Sequence, residues 1–298
     1  PAPIASRKDQ NLLVWQDIVY TGADFMQKFD AALNDLQDQG VTNGSIVRLT
    51  GDYVPQTIAT LFAIIKLNAT VTPLTPSSEK ELQNEHHHIP YTHLVRILDG
   101  ETTDIEACTL TVTTPDLLQE IATRAGPGLV LYTSGSSGVP KAVIHDFAKL
   151  LSKFETPRPA YHTVNFLMFD HWGGLNTLFH RLANGGLWAL PSALTPDYIC
   201  GLISEHKLQL LPATPSFLNL LILSQVWKSH DLSSLKVISY GAEPMPETTL
   251  KRLKDIFPDI DFKQTYGMIE LGVLRAKSEN NESLWVKVGG EGYDVRVV

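Results

Sequence analysis

The stretch Leu131-Tyr132-Thr133-Ser134-Gly135-Ser136-Ser137-Gly138-Val139-Pro140-Lys141 places a polar, glycine-containing loop directly behind an apolar run. The run itself, Gly128 to Tyr132, predicts a buried strand. In the loop, one threonine and three serines can donate hydroxyl hydrogen bonds, and two glycines let backbone N–H groups approach an anion. Lys141 adds a mobile positive charge. The stretch therefore predicts a phosphate-binding loop at the carboxyl end of a strand, where open α/β sheets place their ligands.

The residues around Lys141 separate this loop from the P-loop of other nucleotide-binding proteins. The P-loop pattern requires Gly directly before its Lys and Ser or Thr directly after it, whereas here Pro140 precedes and Ala142 follows. A flexible Ser/Gly surface turn is the alternative interpretation, because polar glycine-containing loops are common. On the loop alone, both interpretations stay open.

Composition and charge define the class of protein. With 298 residues and 43% hydrophobic content, the chain can form one large or two ordinary domains with a substantial core. Its formal net charge of −8 leaves no general basic surface for nucleic acid or an anionic membrane. Cys108 and Cys200 lie far apart without Cys-x-x-Cys spacing, which disfavours a disulfide framework or a thiolate metal site and indicates a reduced, cytoplasmic protein.

The ends of the chain and its longest apolar stretch bear on targeting. Residues 1–10 lack the apolar core of a signal peptide, and the apolar stretch 58–65 is closed by Lys66, so we expect no membrane span. The chain opens on Pro1 and stops in the strand-like run 295–298. We therefore expect a fragment of a longer protein.

Helix and strand patterns alternate through most of the chain, which is typical of layered, mostly parallel sheets flanked by helices. Predicted helices cover residues 23–39, 55–67, 175–182, 197–206, 215–223 and 246–257. Predicted strands cover residues 46–49, 69–72, 164–169, 186–190, 208–211, 236–239 and 261–265. The tail from Leu271 is expected to be β-rich. A polar, proline-containing seam at 154–159 divides the chain into two similar lobes, roughly 1–156 and 157–298.

Two further segments follow predicted strands. Tyr240-Gly241-Ala242-Glu243-Pro244 has small residues that leave room for a flat ring beside free backbone groups. In Gln264-Thr265-Tyr266-Gly267-Met268-Ile269-Glu270, Tyr266 offers an aromatic face and Glu270 a carboxylate suited to Mg²⁺. Taken singly, these features also describe an ordinary strand-to-helix turn, a core tyrosine and a solvated glutamate. In combination with the polar loop, they indicate a nucleotide site.

The three segments together resemble the adenylate-forming superfamily, which includes acyl-CoA synthetases, peptide-synthetase adenylation domains and luciferases. The matching residues are Tyr132 to Lys141, Gly241 to Pro244 and Tyr266 to Glu270, and the similarity extends from Asp52 through Tyr293. The resemblance implies that residues 1–298 form the family's large N-terminal domain. The small C-terminal domain, with its catalytic lysine, is then absent from this chain.

The resemblance also implies the activity of an AMP-forming acid-thiol ligase of the acyl-CoA synthetase type. Family members attack the α-phosphate of ATP with a carboxylate, release pyrophosphate and form an acyl adenylate. The acyl group then passes to the thiol of CoA or of a phosphopantetheine carrier protein, a step expected to need the missing domain. Because the charge lies on ATP, catalysis relies on electrostatic positioning by Mg²⁺, lysine and N–H donors.

The family's functional residues carry over onto matching positions. The expected phosphate-binding residues are Thr133, Ser134, Gly135, Ser136, Ser137, Gly138 and Lys141. The other expected nucleotide-binding residues are Gly241, Ala242, Glu243, Pro244, Gln264, Tyr266, Gly267, Met268 and Ile269. Tyr266 is expected to stack on adenine. Thr133 and Glu270 are the implied Mg²⁺ ligands, and with Lys141 they form the implied catalytic set.

The segment Leu167-Met168-Phe169-Asp170-His171-Trp172-Gly173-Gly174 lies where the family places its acyl-pocket motif. The implied substrate residues are Asp170, His171, Trp172, Gly241 and Met268. Asp-His-x-Gly-Gly is closer to the fatty or aryl acid type, with His171 and Trp172 as the pocket wall. The alternative is an amino-acid adenylation domain, because Phe169-Asp170 matches a pair whose carboxylate binds the substrate ammonium group.

Two positions depart from the family pattern. Ile269 stands where the family usually has a hydroxyl for the α-phosphate, and losing such a charged hydrogen bond costs about 1.5–3 kcal/mol. A degenerate nucleotide-binding or interaction domain without turnover is therefore a third interpretation. Ala142 stands where Gly is usual, a smaller change that we expect to be tolerated. The run His86-His87-His88 is expected to be a solvated loop, because adjacent histidines do not easily converge on one ion.

Overall fold

The computed structural model describes residues 2–82, 89–109, 113–133, 140–274, 276–279 and 283–289. The chain separates into two units. Unit 1 contains Pro1–Leu13, Val19–Arg158 and Met168–His171, and unit 2 contains Val14–Ile18, Pro159–Leu167 and Trp172–Val298. Helices and parallel strands alternate along both, which confirms the predicted layered α/β class.

The first half of the chain contributes a six-stranded sheet and its covering helices. Its elements are α1 (Ala2–Ala5), β1 (Asn11–Trp15), β2 (Ile18–Thr21), α2 (Gly22–Asp38), β3 (Ile46–Thr50), α3 (Pro55–Lys66), β4 (Thr70–Leu74), α4 (Pro76–Leu82), β5 (His93–Leu98), β6 (Thr102–Ala107), α5 (Asp116–Thr123), β7 (Gly128–Thr133), β8 (Lys141–Asp146) and α6 (Phe147–Leu151). The strand order is β6-β5-β3-β4-β7-β8. The inner strands are parallel, and the edge strands β6 and β8 are antiparallel to their neighbours.

Helix α2 begins and ends where its sequence predicts. Thr21 and Asp24 form a capping box, which satisfies N–H groups at the start of the helix. Its apolar face is buried, and Phe25 packs edge-on against Phe62 of α3 with ring centroids 5.9 Å apart. Pro55 starts α3, where its missing N–H is not needed. Two helices are thereby fixed on the sheet.

The second half contributes five parallel strands to a larger sheet and two further antiparallel strand pairs. Its elements are β9 (Thr163–Val164), α7 (Trp172–Asn184), β10 (Trp188–Leu190), α8 (Pro196–His206), β11 (Leu210–Ala213), α9 (Pro215–Ser224), β12 (Val237–Tyr240), α10 (Glu247–Ile256), β13 (Asp261–Gln264), β14 (Tyr266–Met268), β15 (Gly272–Leu274), β16 (Ala276–Ser278) and β17 (Val286–Val288). The larger sheet has the order β13-β12-β11-β9-β10-β1-β2, and β14-β15 and β16-β17 are antiparallel pairs. The tail is therefore β-rich, as predicted. Among the described residues, no helix is both long and apolar enough to span a bilayer.

One predicted strand is largely wrong. The apolar pattern at 164–169 predicts a six-residue strand, but β9 covers only Thr163–Val164. Residues further along make side-chain contacts in unit 1: Phe169 is buried and its ring centroid lies 5.6 Å from that of Tyr53. The apolar residues that indicate a strand are here buried by packing outside a sheet. The spacing of apolar residues along the sequence does not distinguish these two kinds of burial.

Gly128 is a packing constraint at the start of β7. It lies opposite Thr70 of β4, and a Cβ at this position would lie 2.3 Å from the Thr70 hydroxyl oxygen. We predict that Gly128→Ala lowers the free energy of unfolding by about 1–3 kcal/mol, as overpacking of a core does. Urea denaturation measures the change.

Gly126→Ala is the matched control for this experiment. At Gly126 the nearest atom to an added Cβ is the Ile121 carbonyl oxygen at 3.8 Å, an ordinary contact. We expect a change within about 0.5 kcal/mol. Equal effects of both substitutions would show that close strand approach at Gly128 does not limit the packing of β7.

Candidate functional site

The predicted phosphate loop connects β7 to β8 in unit 1. Thr133 ends β7 and lies opposite Lys141, the first residue of β8, in an antiparallel pair. Lys141 is exposed. Ser134, Gly135, Ser136, Ser137 and Gly138 lie outside the described residues. The loop therefore joins two adjacent strands, and the strand pairing holds the backbones of Thr133 and Lys141 side by side.

A polar network supports the strand that leads into this loop. The hydroxyls of Tyr132 and Tyr91 are 3.0 Å apart, and the Arg48 guanidinium lies 5.5 Å from the centroid of the Tyr91 ring. Arg48 also forms an ion pair with Glu79 of α4, with an N–O distance of 2.8 Å. Burial raises the pKa of both tyrosines, so they remain neutral at physiological pH. The network ties the base of the loop to α4.

Sequence reasoning did not identify Arg48, Glu79 or Tyr91. The one available signal was the charge at Arg48 within the apolar strand Ile46–Thr50, because a half-buried cation in a central strand requires a partner. That signal predicts a buried ion pair but not its members. Glu79 lies on a separate helix and Tyr91 precedes a different strand, so only the tertiary structure identifies them.

Tyr91→Phe tests whether this network stabilises the base of the loop. The variant removes the Tyr91 hydroxyl, and we predict a loss of about 0.5–1.5 kcal/mol per hydrogen bond in the free energy of unfolding. Urea denaturation measures it. Tyr198→Phe is the control, since Tyr198 packs against the core of unit 2 and its hydroxyl has no hydrogen-bond partner in the described part of the chain. Equal stability of the wild type and Tyr91→Phe would contradict the prediction.

The segment after β12 in unit 2 has a constrained backbone. A Cβ on Gly241 would lie 2.4 Å from the hydroxyl oxygen of Thr265, which follows the neighbouring strand β13. Ala242 has φ of 68°, a left-handed conformation that costs energy for any residue except glycine. Strain of this kind is common at ligand-binding positions, where surrounding contacts hold the backbone in place.

Glu243 has a structural contact that the sequence did not predict. Its carboxylate accepts hydrogen bonds from the backbone N–H of Ser216, at 3.1 Å, and from the Ser216 hydroxyl. Ser216 lies in the first turn of α9, where N–H groups lack partners within the helix and a negative charge is favourable. The carboxylate of Glu243 therefore holds the segment Gly241–Pro244 against the start of α9.

The third predicted segment lies on β13 and the β14-β15 hairpin of unit 2. Gln264 ends β13, and its buried side-chain oxygen has no hydrogen-bond partner among the described residues. Tyr266 and Met268 are 45% and 42% exposed, while Ile269 and Glu270 lie in the hairpin turn. Gln264 and Tyr240 are opposite each other at the carboxyl ends of adjacent parallel strands. An exposed aromatic ring thus accompanies this edge, whereas the amide oxygen of Gln264 is enclosed.

Trp172 supports that hairpin instead of lining an open surface. It begins α7, which packs on β14 and β15, and it is 4% exposed. A Cβ on Gly272 would lie 2.5 Å from the Trp172 indole nitrogen, so only glycine fits there. Trp172 therefore fixes the strands that carry Tyr266 and Met268.

The predicted site residues are divided between the two units. Unit 1 contains Thr133, Lys141, Asp170 and His171, and unit 2 contains Trp172, Gly241, Ala242, Glu243, Pro244, Gln264, Tyr266, Gly267, Met268, Ile269 and Glu270. The implied Mg²⁺ ligands Thr133 and Glu270 thus belong to different units. Within the described ranges, no group of three or more His, Cys, Asp or Glu side chains could hold a metal ion. His86 to His88 lie outside those ranges.

These features define a family of ATP-using enzymes: the chain belongs to the AMP-binding enzyme family, whose model matches residues 3–293. It is 25% identical over 178 residues to the 4-coumarate–CoA ligase-like 9 of Arabidopsis thaliana, covering 57% of this chain and 32% of that protein. It is 22% identical over 297 residues to the D-alanine–D-alanyl carrier protein ligase of Bacillus cereus, covering 89% of this chain and 57% of that protein. It therefore spans about a third and just over half of these relatives.

Solved structures agree on the fold. The luciferase-like enzyme from the nonluminescent Zophobas morio mealworm superposes with a TM-score of 0.72 at 18% identity, covering 92% of this chain and 72% of that one. The predicted family and fold class are thereby confirmed. The roles of the individual site residues remain predictions.

Proposed function

We propose that this chain is the large N-terminal domain of an AMP-forming ligase, with lobes at roughly 1–156 and 157–298. The protein would activate a carboxylic acid with ATP, forming an acyl adenylate and pyrophosphate. The observation that carries the proposal is the polar loop held between Thr133 and Lys141 by antiparallel pairing, in a chain of the AMP-binding enzyme family. A loop with closely spaced ends and an exposed lysine suits a polyanion in a protein of net charge −8.

The residues present fit an adenine nucleotide. Tyr266 exposes an aromatic face for stacking on the base. The close approach at Gly241 keeps the neighbouring strand ends together. These groups would orient the base, while Lys141 would bind the phosphates.

The Thr133 hydroxyl and the Glu270 carboxylate would supply oxygen donors of the hard type that Mg²⁺ prefers. Bound Mg²⁺ would neutralise negative charge on the phosphates. Ile269 offers no hydroxyl, so we expect the α-phosphate to be held by fewer hydrogen bonds than a Thr or Ser would allow. A nucleotide-binding domain without turnover is the second candidate, and Ile269 is the observation that favours it.

Transfer of the acyl group to a thiol completes the proposal. One relative is named as a CoA ligase-like protein and another as a carrier protein ligase. These names support CoA or a phosphopantetheine carrier as the acceptor. This step would need the C-terminal domain that follows in the family. Cys108 and Cys200 are free thiols, which fits a cytoplasmic, reducing environment.

ATP–pyrophosphate exchange in the full-length protein tests the first step. A panel of fatty, aryl and amino acids would be compared with a reaction lacking acid. We predict acid-dependent exchange for at least one member. Exchange that is absent with every acid, together with saturable ATP binding, would support the nucleotide-binding domain without turnover.

Lys141→Ala tests the phosphate loop. Because Lys141 is exposed, we predict an unchanged unfolding transition but a KM for ATP raised about tenfold or more, as expected for loss of a charge-assisted contact. Lys149→Ala is the matched control, since Lys149 is exposed on α6 and lies 3.8 Å from Asp146. Unchanged ATP kinetics in Lys141→Ala would remove the phosphate role.

A further inference from the structure

Asp170 is a buried carboxylate whose hydrogen bonds to the described residues are all made inside unit 1. The residue is 6% exposed. Its Oδ2 atom accepts hydrogen bonds from the Thr75 backbone N–H at 3.4 Å, from the Thr75 hydroxyl at 3.1 Å and from the Ser78 hydroxyl. Thr75 directly precedes α4 and Ser78 lies in its first turn. We call this group, Asp170 with Thr75 and Ser78, the α4 clasp.

The second oxygen of Asp170 is equally shielded. Oδ1 is buried and has no hydrogen-bond partner within the described residues, and the Nε2 atom of His171 lies 3.8 Å from it. Phe169, which directly precedes Asp170 in the sequence, is buried against Tyr53. His171, by contrast, has a side chain that is 64% exposed. The clasp thus fixes a short segment that presents His171 at the surface.

This arrangement bears on what the site can recognise. A carboxylate that binds a substrate ammonium group must present at least one oxygen to the ligand, because an ammonium ion retains its charge only when paired or solvated. In Asp170, one oxygen is occupied by three donors and the other is enclosed. The negative charge of Asp170 is stabilised by the donors at the start of α4.

We propose that Asp170 is a positioning residue that holds His171 in place through the α4 clasp, and that the acid activated here carries no ammonium group beside its carboxylate. The proposal rests on the proposed function, since it assumes that this site activates an acid. It selects between the two substrate types that the pair Phe169-Asp170 leaves open.

Matched pairs of acids test the substrate class. Pyrophosphate exchange would be measured in the full-length protein with propionate against alanine, butyrate against 2-aminobutyrate, and 3-phenylpropionate against phenylalanine. We expect the acid without an ammonium group to be used at least about tenfold more efficiently in each accepted pair, because an ammonium group would be desolvated without a partner. Preference for the amino acid in any pair would overturn the proposal.

Variants of Asp170 test the positioning role. Asp170→Ala removes the clasp, and we expect the KM for the acid to rise about tenfold while the KM for ATP stays within about twofold. Asp170→Asn keeps an oxygen that can accept from Thr75 and Ser78, so it should restore the acid KM to within about threefold of wild type. If Asp170 bound a substrate ammonium group instead, Asp170→Asn would raise the KM for the acid as much as Asp170→Ala does.

Asp104→Ala is the matched carboxylate control in the same unit. Asp104 is exposed on β6 and its carboxylate lies 3.5 Å from Arg96. We expect its kinetics to equal those of the wild type. A uniform loss of activity in Asp170→Ala, with the KM for ATP raised as much as that for the acid, would indicate general misfolding and overturn the positioning role.

A stability cycle keeps the clasp testable if no acid supports exchange, an outcome that would contradict the proposed function itself. Asp170→Ala, Ser78→Ala and the double variant would be unfolded in urea. We expect the two changes to be non-additive, because Ser78 and Asp170 share a hydrogen bond. Additive losses would overturn the clasp independently of any activity.

Discussion

Parallel pairing of buried strands is the constraint on which the remaining structure depends. In unit 1, β7 is buried over most of its length, so its backbone groups must be paired within the sheet. Gly128 permits this pairing by leaving room for Thr70 on β4. Parallel strands end at a common edge, and Thr133, the last residue of β7, lies at that edge. Burial of an apolar run therefore determines where the predicted phosphate loop begins.

Buried polar groups impose the second constraint. Arg48 pairs with Glu79, and Asp170 is surrounded by donors from the start of α4. Removing one member of such a set leaves the other buried without compensation, which is more costly than the net value of the contact. Helix α4 takes part in both sets, since it carries Ser78 and Glu79. The end of β7, which leads into the predicted phosphate loop, and the segment with His171 thus depend on the same short helix.

Residues that a sequence pattern assigns to ligands can also have structural contacts. Glu243 lies in a family motif, yet its carboxylate accepts hydrogen bonds at the start of α9. Trp172 lies in the acyl-pocket motif, yet it is buried against Gly272 beneath a hairpin. Tyr266 and Lys141, in contrast, are exposed as a ligand contact requires. Burial and hydrogen-bond partners therefore show which of the predicted site residues also support the fold.

The sequence by itself determined the family through its motifs, and it determined the α/β class and many of the helices and strands because periodicity and helix caps are local properties. Thr195 and Thr214, for example, each precede a proline and cap α8 and α9. Only the tertiary structure decided the partners of Asp170, which lie 92 and 95 residues away along the chain, and the early end of β9 at Val164. Such contacts depend on how the sheet brings distant segments together, and no local pattern encodes that.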